Sequence, residues 1–407
     1  MGVVTKVTAL IFCSNGIKML SVIAVTFFVC LGQSTVNLTC VYYLSRTLGC
    51  NALMVGIGTT IQLASYMFSC IFLEKLTESL RPYCTVFLGI LGMLVSTLCM
   101  IVVKNVALFY FLLFIYGLSM GIVWPALYAW ITRNKEGQSL TKSISFYCLS
   151  WSFAVGIYSY IATYLNSKSS ILGFIFSAII FLVDLIIIAL AVVFSPSTRL
   201  MESEKQHIHE LETVQKDHSS YLRYFSWINL FLGYSMLSIM INIFPLYASS
   251  NLHLPDTTVG IILLARGMTS FLFFYLLGRT NFWYFKRRYL FISLILLSIC
   301  FGIISQNTSV VCLILIMILF GATFAFVYTY SSFHGSAGAL NRNRSSAIFE
   351  AVAAIGQILI TTLGSVIYEQ KGFVFLLASM ALITILVLVC ELIAIKIIAT
   401  KNIPVTG

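Results

Sequence analysis

The stretch ILGFIFSAIIFLVDLIIIALAVVF, residues 171–194, contains a single charged side chain, Asp184. A helix of about 20 apolar residues crosses the roughly 30 Å hydrocarbon core of a bilayer. The stretch does not alternate between polar and apolar residues, as the strands of a membrane barrel do. It therefore predicts a transmembrane α-helix.

Eleven other stretches along the 407 residues have similar length and composition. Hydrophobic residues make up 60% of the chain and charged residues 9%, and the mean hydropathy is +0.99. Soluble domains are about a quarter charged. We predict an all-α polytopic membrane protein with about twelve transmembrane helices. The other predicted spans are 20–42, 52–73, 83–103, 106–130, 144–165, 226–247, 257–278, 289–306, 309–330, 346–367 and 373–395.

The distribution of basic residues indicates the orientation of the spans. If both termini face the cytoplasm, most of the 24 Lys and Arg residues lie on the cytoplasmic side. Loops on that side are enriched in Lys and Arg, so we expect cytoplasmic termini and an even number of spans. Topology and contact with anionic lipids account for the net charge of +11. We expect an integral protein of the plasma (cytoplasmic or inner) membrane and no nucleic-acid partner.

A polar stretch, 195–223, divides the predicted spans into two groups of six. We predict an N-terminal six-helix bundle over 1–194, a cytoplasmic linker over 195–223 and a C-terminal six-helix bundle over 224–407. Residues 1–18 are expected to be a cytoplasmic lead-in, the alternative being a cleaved signal peptide.

The two halves match each other at a constant offset of 204 residues. Val55-Gly56-Ile57 recurs as Val259-Gly260-Ile261, and Gly117 matches Gly321. At the same offset Gln62 in the second span matches Arg266 in the eighth. Such duplication predicts two pseudo-symmetric bundles. It is typical of secondary transporters that bind their substrate near the membrane midplane, at the interface of the repeats.

Two glycines and a Trp-Pro pair mark the fourth span, which reads Gly117-Leu-Ser-Met-Gly121 and then Trp124-Pro125. The loop after the second span contains Glu74 and Lys75, and the loop after the eighth contains Arg279. In these features the chain resembles the major facilitator superfamily, whose first such loop reads G-x-L-x-D-R-x-G-R. Both glycines of that motif are missing here. The resemblance implies a gating loop that involves Glu74, Lys75 and Arg279. The fifth span lacks the Gly-Pro signature of proton-antiporting drug exporters, which favours uptake.

Four charged side chains lie within predicted spans, and one of them, Glu391 near the cytoplasmic end of the last span, is interpreted as interfacial. Arg266 falls midway along the eighth span, where a charge costs about 2.5–3.5 kcal/mol and needs a cavity or a partner. It either binds an anionic or strongly hydrogen-bonding group of a solute or forms a structural ion pair, for which Glu350 is the favoured partner. Glu350 and Asp184 are candidates for carrying a coupling proton. Alternatively, Glu350 is an acid near a helix N-terminus, where the helix dipole favours negative charge. The alternative for Asp184 is a packing or relay residue.

Polar and aromatic side chains concentrate in the spans expected to line a cavity. Amides both donate and accept hydrogen bonds, and aromatic rings stack on flat ligands. Interhelical hydrogen bonds and interfacial aromatic belts are the alternative interpretations. The predicted solute-binding residues are Gln33, Asn37, Gln62, Trp124, Asn242, Arg266, Tyr328 and Gln357.

We therefore expect a secondary active transporter that moves a small polar organic solute by alternating access. An ion gradient, for example of protons, or the solute's own gradient would drive it. We expect a monomer in the lipid bilayer. We also expect no catalytic residues, metal or cofactor, because phosphate-loop and metalloprotease motifs are missing from the sequence and the eleven cysteines form no C-x-x-C pair. The alternatives are a membrane-embedded enzyme and a non-transporting receptor or assembly protein.

Overall fold

The computed structural model describes residues 2–50, 52–73, 80–132, 135–194, 220–306, 309–339 and 341–400. Within these ranges the regular elements are all helices. The predicted gating-loop residues Glu74 and Lys75 and most of the predicted linker, 195–219, lie outside the described residues.

Among the described residues, six helices precede the predicted linker. The third of these helices begins at Pro82. Proline suits this position because its φ angle is already helical and the N–H that it lacks would have no partner within the helix. The six are α1 (Gly2–Tyr42, continued by the π-helical turn Tyr43–Thr47), α2 (Ala52–Phe72), α3 (Pro82–Val102), α4 (Val106–Thr132), α5 (Gly137–Lys168) and α6 (Ser170–Phe194).

In the described part of the chain after the predicted linker there are six helices, two of which contain π-helical turns. They are α7 (Ser220–Ser238, the π turn Ile239–Ile243 and Phe244–Ser250), α8 (Asp256–Leu277), α9 (Arg288–Gln306), α10 (Val310–Ser336), α11 (Arg342–Leu359, the π turn Ile360–Gly364 and 365–371) and α12 (373–400). Gly372 separates the last two helices. Its φ of 83° and ψ of 171° lie outside the helical region, in backbone that glycine adopts without strain.

Lengths and compositions of the helices agree with about twelve membrane crossings. Ten stretches of the described residues are long and apolar enough to span a bilayer. One of them, Arg344–Ile397, has 54 residues and would be about 80 Å long if it were one helix, so its break at Gly372 makes two crossings. The more polar α5 has 32 residues and is about 48 Å long, also enough to cross. The prediction of an all-α polytopic fold is confirmed.

The chain forms two compact units. The first comprises Met1–Asn134, Phe146–Lys216 and Leu340–Ala351, and the second comprises Lys135–Ser145, Asp217–Ala339 and Val352–Gly407. The start of α5 thus belongs to the second unit and the rest of α5 to the first, whereas α11 has the reverse arrangement. The predicted division of the chain at 195–223 stays a prediction.

Equivalent helices pack together in each unit. In the first unit α4 packs on α2 and α3, and α6 packs on α1 and α3; in the second, α10 packs on α8 and α9, and α9 packs on the last helix. Gly117 lies against the backbone oxygen of Gln62, and Gly321 lies against the backbone oxygen of Arg266. Glycine permits this close approach of two helix backbones. The two crossings are related by the offset of the repeat, because Gly321 follows Gly117, and Arg266 follows Gln62, by 204 residues. The same helix crossing therefore occurs once in each unit.

Candidate functional site

Four of the predicted solute-binding residues form two hydrogen-bonded pairs in the first unit. The indole Nε1 of Trp124 on α4 donates to Oε1 of Gln33 on α1, at 2.7 Å. One helical turn further along α1, Asn37 accepts through Oδ1 from Nε2 of Gln62 on α2, at 2.8 Å. The two amides on α1 are therefore each held by a side chain from a neighbouring helix.

A series of aromatic rings continues from Trp124 to the start of α11. Trp124 meets Tyr147 edge to face with centroids 6.3 Å apart, and Tyr147 meets Tyr128 in the same way at 5.5 Å. Tyr128 stacks on Phe349 at 6.2 Å with an interplanar angle of 7°. These rings pack against one another, so α4, α5 and the first turns of α11 share one aromatic wall within the first unit.

Glu350 lies beside this wall, and its carboxylate accepts a hydrogen bond of 2.7 Å from the hydroxyl of Tyr66 on α2. Glu350 is in the third turn of α11, beyond the first turn in which a helix dipole stabilises an acid. The hydrogen bond from Tyr66, and not the dipole at the helix N-terminus, therefore stabilises the Glu350 carboxylate. The start of α11 also donates from Ser346 to the carbonyl of Pro125, at 3.3 Å.

In the second unit, two of the predicted residues, Asn242 and Gln357, lie at or next to the π turns of α7 and α11, and these two turns contact each other. The exposed Asn242 donates to Ser238 Oγ at 3.2 Å, and the hydroxyls of Ser238 and Thr361 lie 2.7 Å apart. Thr361 donates in turn to the backbone carbonyl of Gln357, at 2.8 Å. A π turn disturbs the regular hydrogen bonding of a helix and is frequent at functional sites.

Two other predicted residues of the second unit have different surroundings. Arg266 is half-buried on α8, at the crossing with Gly321. Tyr328 is only 3% exposed, and its ring packs against Phe274 and Tyr234 with centroid distances of 5.7 and 6.4 Å. Little of the Tyr328 surface is left for a solute in this structure.

Asp184 is fully buried on α6. Its two carboxylate oxygens have no hydrogen-bond partner among the described residues. Glu391 on α12 is a second acid of this kind, 2% exposed and with both oxygens unpartnered in the described part of the chain. The structure does not bring Asp184 together with Glu350.

Arg279 follows α8, and its guanidinium carbon lies 4.2 Å from the ring centroid of Tyr275. The start of α5 contacts the same region of the second unit. Ser145 Oγ donates to the carbonyl of Phe274 at 2.7 Å, and Gln138 Nε2 donates to the carbonyl of Gly278 at 3.1 Å. The hydroxyl of Tyr284, in the segment between α8 and α9, also contacts Thr141 and the carbonyl of Gly137 on α5. The contact requires a glycine at 278, because a Cβ there would collide with Ser145.

Sequence reasoning missed several of these residues, although signals for them were present. Tyr66 lies one helical turn after Gln62, on the same face of α2. Ser145 and Phe349 are 204 residues apart, so the repeat relates the starts of α5 and α11. Ser238 and Thr361 carry no comparable signal, because the sequence does not mark a π turn.

Comparison with known proteins places these features in a family. The family model described as Major Facilitator Superfamily matches residues 22–338. No curated protein matches the chain in sequence.

Solved structures with this fold include several transporters. The proton:xylose symporter XylE, bound to 6-bromo-6-deoxy-D-glucose, superposes with a TM-score of 0.67 at 12% identity, over 98% of this chain and 96% of that one. The human organic anion transporter MFSD10 (TETRAN) gives a TM-score of 0.65 at 13% identity, over 91% and 96%. FucP in its outward conformation gives 0.65 at 11% identity, over 91% and 97%.

The family model covers well over half of the chain, and the similar folds are those of transporters. Together with the apolar helices, the family match indicates an integral membrane protein of a transporter family. The chain belongs to the Major Facilitator Superfamily.

Proposed function

We propose that the protein is a secondary active transporter that takes up a small polar organic solute by alternating access. The observation that carries the proposal is the repeated helix crossing, in which Gln62 and Arg266 occupy equivalent positions on α2 and α8. A charged guanidinium in the middle of a transmembrane helix is costly, and in membrane proteins such groups usually mark a solute or ion pathway.

The solute would be recognised by the polar side chains of the predicted set. Arg266 supplies a permanent positive charge and several donors, which suit an anionic or strongly accepting group. Because the similar structures include a proton:xylose symporter and an organic anion transporter, sugars and organic anions are the first solutes to test. The other residues of the predicted set are Gln33, Asn37, Asn242 and Gln357, together with Gln62 and Trp124, which hold the amides of α1, and Tyr328, which neighbouring rings cover in this structure.

Glu350 is the proposed carrier of a coupling proton. A hydrogen bond from Tyr66 to an ionised carboxylate is roughly twice as strong as one to a neutral acceptor. Proton binding to Glu350 would therefore weaken the attachment of α11 to α2. Asp184 is the second candidate, because its buried carboxyl has no protein partner within the described residues.

Alternating access would require the starts of α5 and α11 to detach from the units in which they are embedded. Residues 135–145 attach to the second unit through hydrogen bonds from Gln138 and Ser145, and α11 attaches to the first through Ser346 and Glu350. Breaking each of the neutral hydrogen bonds costs about 1 kcal/mol, and breaking the bond between Tyr66 and an ionised Glu350 costs about 2 kcal/mol. Arg279, next to the α5 contact, is the described residue of the proposed gating loop. Glu74 and Lys75 are its other proposed members.

We further propose that the protein is a monomer of the plasma membrane with both termini in the cytoplasm. The excess of Lys and Arg in alternate loops supports this orientation.

Transport by the full chain in proteoliposomes tests the proposal. Uptake of labelled sugars, nucleosides, amino acids and organic anions is measured with and without an inward proton gradient. Arg266→Ala is expected to abolish uptake of the transported solute, whereas Arg288→Ala, at an exposed arginine, leaves it unchanged. Unchanged uptake by Arg266→Ala would remove Arg266 from the site. Absence of uptake across the whole panel, both with and without the proton gradient, would favour a receptor or an enzyme.

A further inference from the structure

The hydrogen bond between Trp124 and Gln33 determines which way the Gln33 amide faces. An indole N–H can only donate, so the atom of Gln33 that lies 2.7 Å from it must be the oxygen. The NH2 group of Gln33 then faces away from α4. Within the described part of the chain this NH2 group donates to no protein atom.

Asn37 has the same arrangement one turn further along α1. Its side-chain oxygen accepts from Gln62 at 2.8 Å, which leaves its own NH2 group free to donate. Gln33 is half-buried and Asn37 is exposed. Residues four apart lie on the same side of a helix, with Cβ atoms about 5–6 Å apart. Two amide NH2 groups therefore point from the same side of α1, which we call the donor face of α1 (Gln33 and Asn37).

We propose that the donor face of α1 binds carbonyl or carboxylate oxygens of the solute, and that Trp124 and Gln62 are positioning residues that set this specificity. This inference rests on the proposed function and narrows its substrate class. Trp124 would act through Gln33 rather than by stacking on the solute, because its N–H is occupied and its ring packs against Tyr147.

A site of fixed donors is selective against solutes that lack acceptors. Such a solute leaves the NH2 groups desolvated and unpaired, which is more costly than the loss of a contact between apolar groups. Sites built to hydrogen-bond a particular group can reject an analogue without it by several orders of magnitude. Amines without a carbonyl group should therefore be excluded.

Gln33→Glu separates the two roles of the Gln33 side chain. A carboxylate at 33 still accepts from Trp124, but it presents only oxygen to the solute. This variant should lose at least about tenfold in affinity for carbonyl-bearing ligands. Gln306→Glu, at an exposed position on α9, is the control and should bind as the unaltered protein does.

Trp124→Phe tests the positioning role. It retains an aromatic ring but removes the donor, so the Gln33 amide can turn and present either atom. Selectivity for carbonyl compounds over amines should therefore fall about tenfold. Trp227→Phe is the control, because the buried indole nitrogen of Trp227 makes no hydrogen bond among the described residues.

Ligand-induced shifts in the melting temperature of the purified full chain measure this selectivity. The probes are short mono- and dicarboxylates, their methyl esters, and amines with the same carbon skeletons. We expect carboxylates or esters to bind and amines not to bind; the esters distinguish a neutral carbonyl from an anion. Binding of amines in preference, no binding of any carbonyl probe, or unchanged selectivity in Gln33→Glu would overturn the inference.

Transport of the bound probe into proteoliposomes separates this inference from the proposed function. Binding with the expected selectivity but no transport would refute the transporter and leave the donor face of α1 intact. Transport that does not depend on Gln33 or Trp124 would leave the transporter intact and refute the donor face.

Discussion

Gly321 on α10 is a position at which one added methyl group should be damaging. A Cβ at 321 would collide with the backbone oxygen, carbonyl carbon and Cα of Arg266 on α8. Backbone atoms cannot rotate away as a side chain can, so Gly321→Ala must push α8 and α10 apart. The same movement displaces Arg266 from the position that it occupies in the intact crossing.

Two opposing effects determine the size of the change in stability. Alanine is about 1 kcal/mol better than glycine inside a helix, and overpacking costs about 1–3 kcal/mol. With backbone as the obstacle we take the upper value, so Gly321→Ala should destabilise by about 2 kcal/mol. Gly302 on α9 has no atom within 4 Å of the place that an added methyl group would occupy. Gly302→Ala should therefore stabilise by about 1 kcal/mol.

Thermal unfolding in detergent, followed by tryptophan fluorescence, measures this difference of about 3 kcal/mol. For a unit of about 200 residues it corresponds to melting temperatures about 6–12 °C apart. Gly321→Ala should also lose transport, and Gly302→Ala should retain it. Equal melting temperatures for the two variants would refute the close helix contact at 321, and a fully active Gly321→Ala would refute its importance for Arg266.

Three further predictions concern the starts of α5 and α11. Gly278→Ala should impair transport, because its methyl group meets Ser145, and Ser145→Gly in the same chain should restore it in part; uptake rates of both check this. Tyr66→Phe should destabilise the protein by about 2 kcal/mol in thermal unfolding, because the Glu350 carboxylate loses its hydrogen-bond donor. Glu350→Gln should have nearly the stability of the unaltered protein, and its uptake should no longer depend on a proton gradient. Burial raises the pKa of Tyr284 above its usual value of about 10, so its contribution to stability is complete below that pH and is lost as the pH rises through the higher folded-state pKa. Tyr284→Phe should reduce the decline of melting temperature between pH 9 and 11, and an unchanged decline would contradict this.

The sequence by itself determined the number and approximate limits of the transmembrane helices, because lipid requires long apolar stretches whose backbone groups are satisfied within a helix. The offset of 204 residues also identified Gln62, Arg266, Gly117 and Gly321 as matched positions. These inferences need only composition, length and spacing, which remain visible in a linear chain.

Only the tertiary structure decided which polar groups meet. Gln33 faces Trp124 and Glu350 faces Tyr66 across 91 and 284 residues of chain, and such pairings depend on how helices are rotated and packed. The enclosure of Tyr328 by other rings likewise depends on packing. The apolar composition of a stretch such as 171–194 predicts a membrane helix, because such a stretch is stable in lipid. Contact with lipid does not select which other helices it packs against. Close packing and directional hydrogen bonds between helices make that choice, and these exist only in the folded chain.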